Sequence, residues 1–566
     1  MRKAAGAALF AVLILLFLIA NRGAYQGYFE GDDLDNLAWT QQVQPLDMAR
    51  DLIPPWYFAN HFRPLGYLYF AVMGQIAGLR FPWWVALLHA FHLLNLWILW
   101  RLLKRFAVGT LAALAGALFF AFHMAVFDAY WKPMYIFDVL CALFCLLSLL
   151  SYTHRKWILS FVCFWLAFKA KELAVMLPAV LALYEYWFGD KRWKRLIPFL
   201  AVSLFFGLQA LLANPGVETD YALSFVPRSL LKTTSFYASE LFLLPYLGFV
   251  VLVLPFIVRD RRVHFGLACL GLLLLPMLGL PGRLYGAYLY APLVGASIAL
   301  AALAAGGKRH RTAALLALFF AVWIPFNYSQ LRANRRATLT AANDNHTYVS
   351  TLAELPQTLP DARAFVYDGA PSAMYSWGVA GAVRYLYGRP DLAVYSADNA
   401  NYQKAFQSES FALLNWDPVF RKLLILPHTS GMPDFPYFQI AANRLQPIWQ
   451  LDRGWYPWEY SFRWIQPYAS ARLRRPRNAG QFELIAHIGP DQIRDLKRTT
   501  IQVLLDGQPV GRQEFTVAAI QTVRWNLPPG APGPVRVEFR VAPEYRPTKD
   551  SRSMGIPIAA FGFREN

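Results

Sequence analysis

Up to about residue 330 the chain alternates long apolar runs with short polar connections, and the runs have the length of helices that cross a bilayer. They fall near 5–20, 83–103, 108–127, 134–153, 157–170, 172–188, 197–213, 236–258, 264–280, 285–306 and 312–328, which predicts eleven transmembrane helices. Some are short for the purpose, 157–170 above all. The stretch "LGYLYFAVMGQIAGLR", 65–80, is apolar as well, but a crossing there would reverse the side of every later connection, so it is read as a helix lying at the interface. Residues 1–20 have the charged start and apolar core of a signal peptide. No convincing small-residue cleavage site follows, which predicts an uncleaved first helix.

After residue 328 polar and apolar residues alternate, with frequent Pro and Gly. Segments such as "RAFVYDGAP" and "GVAGAVRYLYG" predict a small α/β region over 329–460, and "TTIQVLLDGQPVGRQEFTV", "QTVRWNLPPG" and "GPVRVEFRVAP" predict strands joined by turns. The expected fold class is a polytopic α-helical membrane domain, 1–328, followed by the α/β region and a β-sandwich over 461–566.

Charge adds sidedness. The net charge is +19, yet the basic residues come in short clusters: Arg2 and Lys3; Arg101, Lys104 and Arg105; Arg155 and Lys156; "KRWKR" at 191–195; Arg259, Arg261 and Arg262; "KRHR" at 308–311. Every second connection carries one, which by the positive-inside rule puts the N-terminus in the cytoplasm and residues 329–566 outside it. There is no contiguous basic face of the kind that binds nucleic acid. The four cysteines, Cys141, Cys145, Cys163 and Cys269, lie in apolar runs without metal-ligand spacing and read as packing residues.

The candidate chemistry lies in the connections assigned to the outer side. In the first, residues 21–82, "YFEGDDLDNLAW" places Glu30, Asp32, Asp33 and Asp35 within six positions. Others carry His123, Asp128, Asp138, the pair Lys171 and Glu172, a longer loop near 214–235, and Arg283. Ionisable groups at a membrane edge point first to function. Each has a plainer reading: Asp residues capping a helix that begins near Leu34, Lys171 paired with Glu172, Lys171 or Arg283 snorkelling to the interface, and His61, His89 and His92 as hydrogen-bonded packing residues. The aromatic run "DRGWYPWEYSFRWIQPY", 452–468, is either carbohydrate contact or packing. No GxGxxG, P-loop, HExxH or GxSxG stands in a fitting context.

In this order the membrane half resembles the GT-C glycosyltransferases, which use polyprenyl-phosphate sugars, and among them the TMTC-like and other protein O-mannosyltransferases and their bacterial relatives. The resemblance rests on Asp32-Asp33; "RPL" at 63–65; His92 and Asn95; His123, Asp128 and Asp138; Lys171, Glu172 and Pro178; and "YLYAP" at 288–292. It implies an inner-membrane enzyme of a bacterium that transfers a sugar, with inversion, from a polyprenyl-phosphate donor to a hydroxyl of a glycan, lipid or protein. Asp32 or Asp33 would be the base. Lys171, Arg283 and Arg63 would hold the donor phosphate, and Asp128, Asp138 and His123 would orient base or acceptor or bind a divalent cation, the one cofactor left open. Glu172, Tyr288 and Tyr290 would support them. The chain departs from the pattern at Ile136 and Ala287, where arginines are expected; Arg283, four residues before Ala287, would be one helical turn back on the same face. A transporter or flippase for a lipid-linked glycan, and a non-catalytic envelope scaffold, are the other readings. Polar residues at the membrane edge and the lack of an internal repeat favour the enzyme over the transporter.

Overall fold

The computed structural model describes the chain except residues 1, 56–62, 107, 214–221, 307–308, 398–399, 419, 429–438, 442–449, 460, 548–549, 551 and 566. It has two compact units, Met1–Phe29 with Trp39–Ala342, and Glu30–Ala38 with Asn343–Asn566.

The first unit is helical. Among the described residues five helices are long and apolar enough to cross a membrane: Ala5–Gln26, Phe81–Arg105, Pro133–Thr153, Arg261–Leu278 and Ala313–Thr358. A bent pair, Pro227–Phe242 and Leu247–Ile257, makes a sixth if counted as one span. The chain is a multi-pass membrane protein. The runs predicted at 108–127, 157–170 and 285–306 contain the shorter apolar helices Thr110–Ala121, Trp157–Ala170 and Pro292–Gly306. At 1.5 Å per residue these reach only about 18–23 Å, short of a hydrocarbon core of roughly 30 Å. The eleven predicted runs are therefore not eleven full-length helices. The run at 236–258 is interrupted: the chain turns by 93° between Phe242 and Leu247. Leu243 and Tyr246 take positive φ on either side of Pro245, which has no N–H to continue the helix. The apolar stretch at 65–80 forms the helix Pro64–Ala77, with Pro64 in the first turn, where a missing N–H is harmless.

The second unit carries thirteen described strands: β1 (Ala364–Asp368), β2 (Ala393–Ser396), β3 (Phe411–Asp417), β4 (Lys422–His428), β5 (Gln439–Ala441), β6 (Leu451–Glu459), β7 (Phe462–Arg475), β8 (Ala479–His487), β9 (Thr499–Leu505), β10 (Gln508–Phe515), β11 (Ile520–Asn526), β12 (Gly533–Ala542) and β13 (Pro557–Glu565). The first four make one sheet in the order β2-β1-β3-β4. Its strands β1, β2 and β3 are parallel, and the helix Tyr375–Tyr387 is the crossover from β1 to β2. The segment 364–428 thus has α/β topology.

The remaining strands do not form a sandwich. They make one nine-stranded sheet in the order β10-β9-β12-β7-β13-β8-β11, with β6 on β7 and β5 on β13. Its two ends approach each other: a Cβ on Gly511 of β10 would stand 2.0 Å from the Trp525 ring of β11, so only glycine lets the sheet curl this far. The result is a near-barrel. Alternation along β7 and β12 buries Leu473, Val537 and Phe539 and leaves Arg472, Arg474 and Arg540 outside. The buried cluster joins Val366, Phe411 and Leu413 of the small sheet to Ile465, Phe482 and Phe539 of the large one. The boundary expected at 460 thus falls between β6 and β7, which pair as neighbours, and the two sheets share one core.

Candidate active site

In the first unit, Asp138 sits in the first turn of the helix Ile136–Thr153. Lys171 follows the helix Trp157–Ala170 in an extended conformation that ends it. This turns the ammonium onto Asp138 Oδ1 at 2.6 Å, with both side chains more than nine-tenths buried. The same ammonium lies 4.5 Å from the centre of the Tyr288 ring, a cation-π contact. One residue on, Glu172 accepts a fork of two hydrogen bonds from Arg63, at 2.7 and 2.9 Å. Four charged groups drawn from three predicted motifs are therefore two ion pairs. Neither is the Lys171–Glu172 pair that adjacency in sequence offered.

Along the same helix lies a small apolar cavity of about 30 Å³. Ala142, Cys145 and Leu149 line one wall, spaced from Asp138 by four, seven and eleven residues, which is one face of the helix. Ala291, Val294 and Ile298 line another, just after Tyr288 and Tyr290. Tyr290 anchors that region: its hydroxyl lies 2.8 Å from His92 Nδ1 and accepts from Asn95 Nδ2 at 3.1 Å, while Asn95 also donates to the Val139 carbonyl. The His92-Asn95 and "YLYAP" motifs are thus one buried network.

The remaining candidates in this unit do not join the cluster as a set. His123 is buried; its Nε2 donates to the Leu241 carbonyl at 2.8 Å and its Nδ1 accepts from the Ala125 amide, so both nitrogens hold backbone. Asp128 pairs with Lys132 at 3.2 Å. Among the described residues no three His, Cys, Asp or Glu side chains come together to hold a metal, and His123, Asp128 and Asp138 each have separate partners. Arg283 lies 5.3 Å from the Tyr285 ring centre. It does not share a helical face with Ala287, because the Pro281-Gly282 turn follows the preceding helix and the next helical turn starts only at Gly286. His89 donates to the Tyr130 carbonyl and accepts from Tyr25, as packing residues do. His61 lies outside the described residues.

The acids of 30–38 belong to the second unit. Their helix is Gly31–Thr40, three residues earlier at its start than the capping reading expected. Asp33 is fully buried and its Oδ2 accepts from the Glu30 amide at 3.0 Å, half of a capping box. Asp32 is half-buried, and its Oδ1 accepts from the indole N–H of Trp377 at 2.5 Å. Asp35 is exposed. The two neighbouring aspartates therefore have different lives, one a cap and one presented beside an aromatic side chain. Trp377 had no signal in sequence, being 345 residues away.

Small residues make this arrangement fit. The helices Gly31–Thr40 and Tyr375–Tyr387 touch through backbone, with a Cβ on Gly378 standing 2.4 Å from the Gly31 Cα and one on Gly381 standing 2.6 Å from the Asp35 amide nitrogen. Gly381→Ala is expected to destabilise by about 1–3 kcal/mol, as overpacking does. A thermal melt reads the effect, and an unchanged Tm would mean the two helices separate without cost.

No protein-family model matches the sequence, and no curated protein matches it. Among solved structures, ArnT from Cupriavidus metallidurans bound to undecaprenyl phosphate covers 77% of this chain and 100% of its own, with 12% identity and a TM-score of 0.46. Its apo form covers the same shares at 13% identity and the same score. The arabinofuranosyltransferase AftD from Mycobacteria covers 99% of this chain and 58% of its own, with 13% identity and a TM-score of 0.45. The chain is similar to these proteins at low identity.

Proposed function

We propose that the chain is a GT-C glycosyltransferase of the protein O-mannosyltransferase-like type, which moves a sugar from a polyprenyl-phosphate carrier to a hydroxyl acceptor at the outer face of the inner membrane. One observation carries the reading: the buried charges Asp138 and Lys171, with Tyr288, stand at the head of a helix face that lines an apolar cavity. A lipid-linked phosphate would set its anionic head at these charges and lay its apolar tail along that helix face. The Lys171 ammonium has donors beyond the one given to Asp138, and Arg63 and Arg283 are the other cations this reading assigns to the phosphate.

In this reading the acceptor oxygen attacks the anomeric carbon from the face opposite the phosphate, and the bond from that carbon to the phosphate oxygen breaks. Asp32 takes the acceptor's proton, and polyprenyl phosphate leaves with the electron pair. Asp33 holds the helix turn that presents Asp32. The cations stabilise the leaving phosphate as its charge grows. Asp138 and Glu172 hold Lys171 and Arg63 in place before donor arrives.

Two measurements test the frame. Undecaprenyl phosphate is expected to stabilise the purified chain by about 2.7 kcal/mol at roughly a hundred times its Kd, and undecaprenol or inorganic phosphate far less. Ala142→Trp, which fills the cavity, removes the effect. Equal stabilisation by undecaprenol would take the phosphate out of the reading. The proposed topology has eleven crossings, counting the short apolar helices, with membrane domain 1–328 and residues 329–566 extracytoplasmic. Reporter fusions after Phe106, Arg192 and Arg309 should then report cytoplasm, and those after Pro45, Asp220 and Asn345 should not. A cytoplasmic signal after Asn345 would reverse the sidedness on which the site depends.

A further inference from the structure

The α/β region has a surface that the reaction above does not use. Tyr375 and Trp377 stack with ring planes 8° apart and centres 4.8 Å apart. Stacked aromatics in a protein are usually buried against each other and their surroundings. These two are 53% and 45% exposed, although each is large and apolar. The Trp377 indole N–H donates to Asp32, and the Tyr375 ring lies beside Gly31, so both stand next to the acidic helix.

Their place in the fold is equally specific. The segment from Gly369 to Met374 leads from the carboxyl end of β1 into the helix Tyr375–Tyr387. The chain passes from β1 to β2 on one side and then returns to β3 on the other, so the carboxyl ends of β1 and β3 flank a switch in strand order. Open parallel sheets bind their ligands at such points. Tyr375 itself has φ +56, a strained conformation for a bulky side chain. Its neighbour Met374 is pinned: a Cβ on Gly31 would stand 2.2 Å from the Met374 carbonyl oxygen, and the Gly31 amide donates to the Ala373 carbonyl at 2.9 Å. Strain held by close surroundings and ending in an exposed side chain is a mark of a ligand contact.

We propose that Tyr375 and Trp377 form a platform for a pyranose ring, and that the acceptor is therefore a sugar hydroxyl. A pyranose has one apolar C–H face, which packs on a flat aromatic surface, and a rim of hydroxyls, which need carboxylate or amide partners. Asp32 is such a partner. The indole N–H holds its Oδ1 and leaves Oδ2 to receive a hydroxyl from a sugar seated on the rings. The identification of the acceptor rests on the transferase reading; the platform does not.

The test uses the full chain in detergent with the two methyl anomers each of glucose, mannose and galactose, read by saturation-transfer NMR. At least one is expected to bind with transfer concentrated on the C–H protons of one ring face. Trp377→Ala and Tyr375→Ala should each weaken it roughly tenfold, the scale of a truncated aromatic anchor. Trp377→Phe, which keeps a ring and loses the N–H, should keep most of the binding, so a general loss of fold is separated from loss of the surface. If no glycoside gives a signal that depends on Trp377 or Tyr375, the platform is refuted. Glycoside binding that depends on both rings, in a chain that transfers no sugar from a polyprenyl phosphate, would uphold the platform and overturn the transferase.

Discussion

Asp32→Asn is expected to lower sugar transfer by about 10²–10⁴, the usual contribution of a general base, with the folded protein and its Tm nearly unchanged. The exchange keeps the size of the side chain and an oxygen to accept from Trp377, and removes only the charge that takes the proton. Asp33 separates the two roles that the sequence left combined. Its Oδ2 caps the Glu30 amide, and the amide oxygen of Asn can do the same, so Asp33→Asn should keep most activity. Asp33→Ala should lose about 1 kcal/mol of stability or somewhat more, as cap removal does. Asp35→Asn should be nearly silent, because Asp35 is exposed. Purified proteins assayed for transfer from an undecaprenyl-phosphate sugar decide between these outcomes. Near-parental turnover by Asp32→Asn would reject the base, and a loss confined to Asp33→Asn would move the chemistry one residue along.

What the sequence made legible was whatever depends on local pattern. The apolar runs found the long helices, and Pro64 marks the start of the helix Pro64–Ala77. The Pro245 interruption was legible too, in "LFLLPYLG", but a run-length criterion passed over it. The strands from 461 onward were visible from alternation, because each needs only period two. Their closure was not: whether strands make two sheets or one depends on which edges meet, and here that turns on Gly511 leaving room for Trp525. The candidate site shows the same division. Glu172 is next to Lys171 in the chain, so adjacency suggested that they pair, yet an extended backbone at Lys171 sends the two side chains to different partners. Lys171 meets Asp138, 33 residues away, and Glu172 meets Arg63, 109 away. Asp32 likewise meets a tryptophan from the far half of the chain. Contacts of this range have no periodicity to betray them.

The ion pair of Lys171 and Asp138 allows structure and function to be separated by substitution. Both side chains are more than nine-tenths buried. Removing one partner leaves the other charge without compensation, so Lys171→Met and Asp138→Leu are each expected to destabilise by about 3–5 kcal/mol. Replacing both at once removes the two desolvation penalties together, and the double variant should recover most of the lost stability. Activity should not follow stability. If Lys171 holds the donor phosphate, the double variant folds like the parent and binds undecaprenyl phosphate no better than the single Lys171→Met does. If the pair is structural only, stability and donor binding return together. Asp138→Asn adds a third reading, since it keeps a hydrogen-bond acceptor for the ammonium and removes the anion that competes with the phosphate. The phosphate-site proposal predicts tighter donor binding by Asp138→Asn despite lower stability. Binding that falls in step with Tm across all these variants would assign Lys171 to the fold and leave the donor phosphate to other groups.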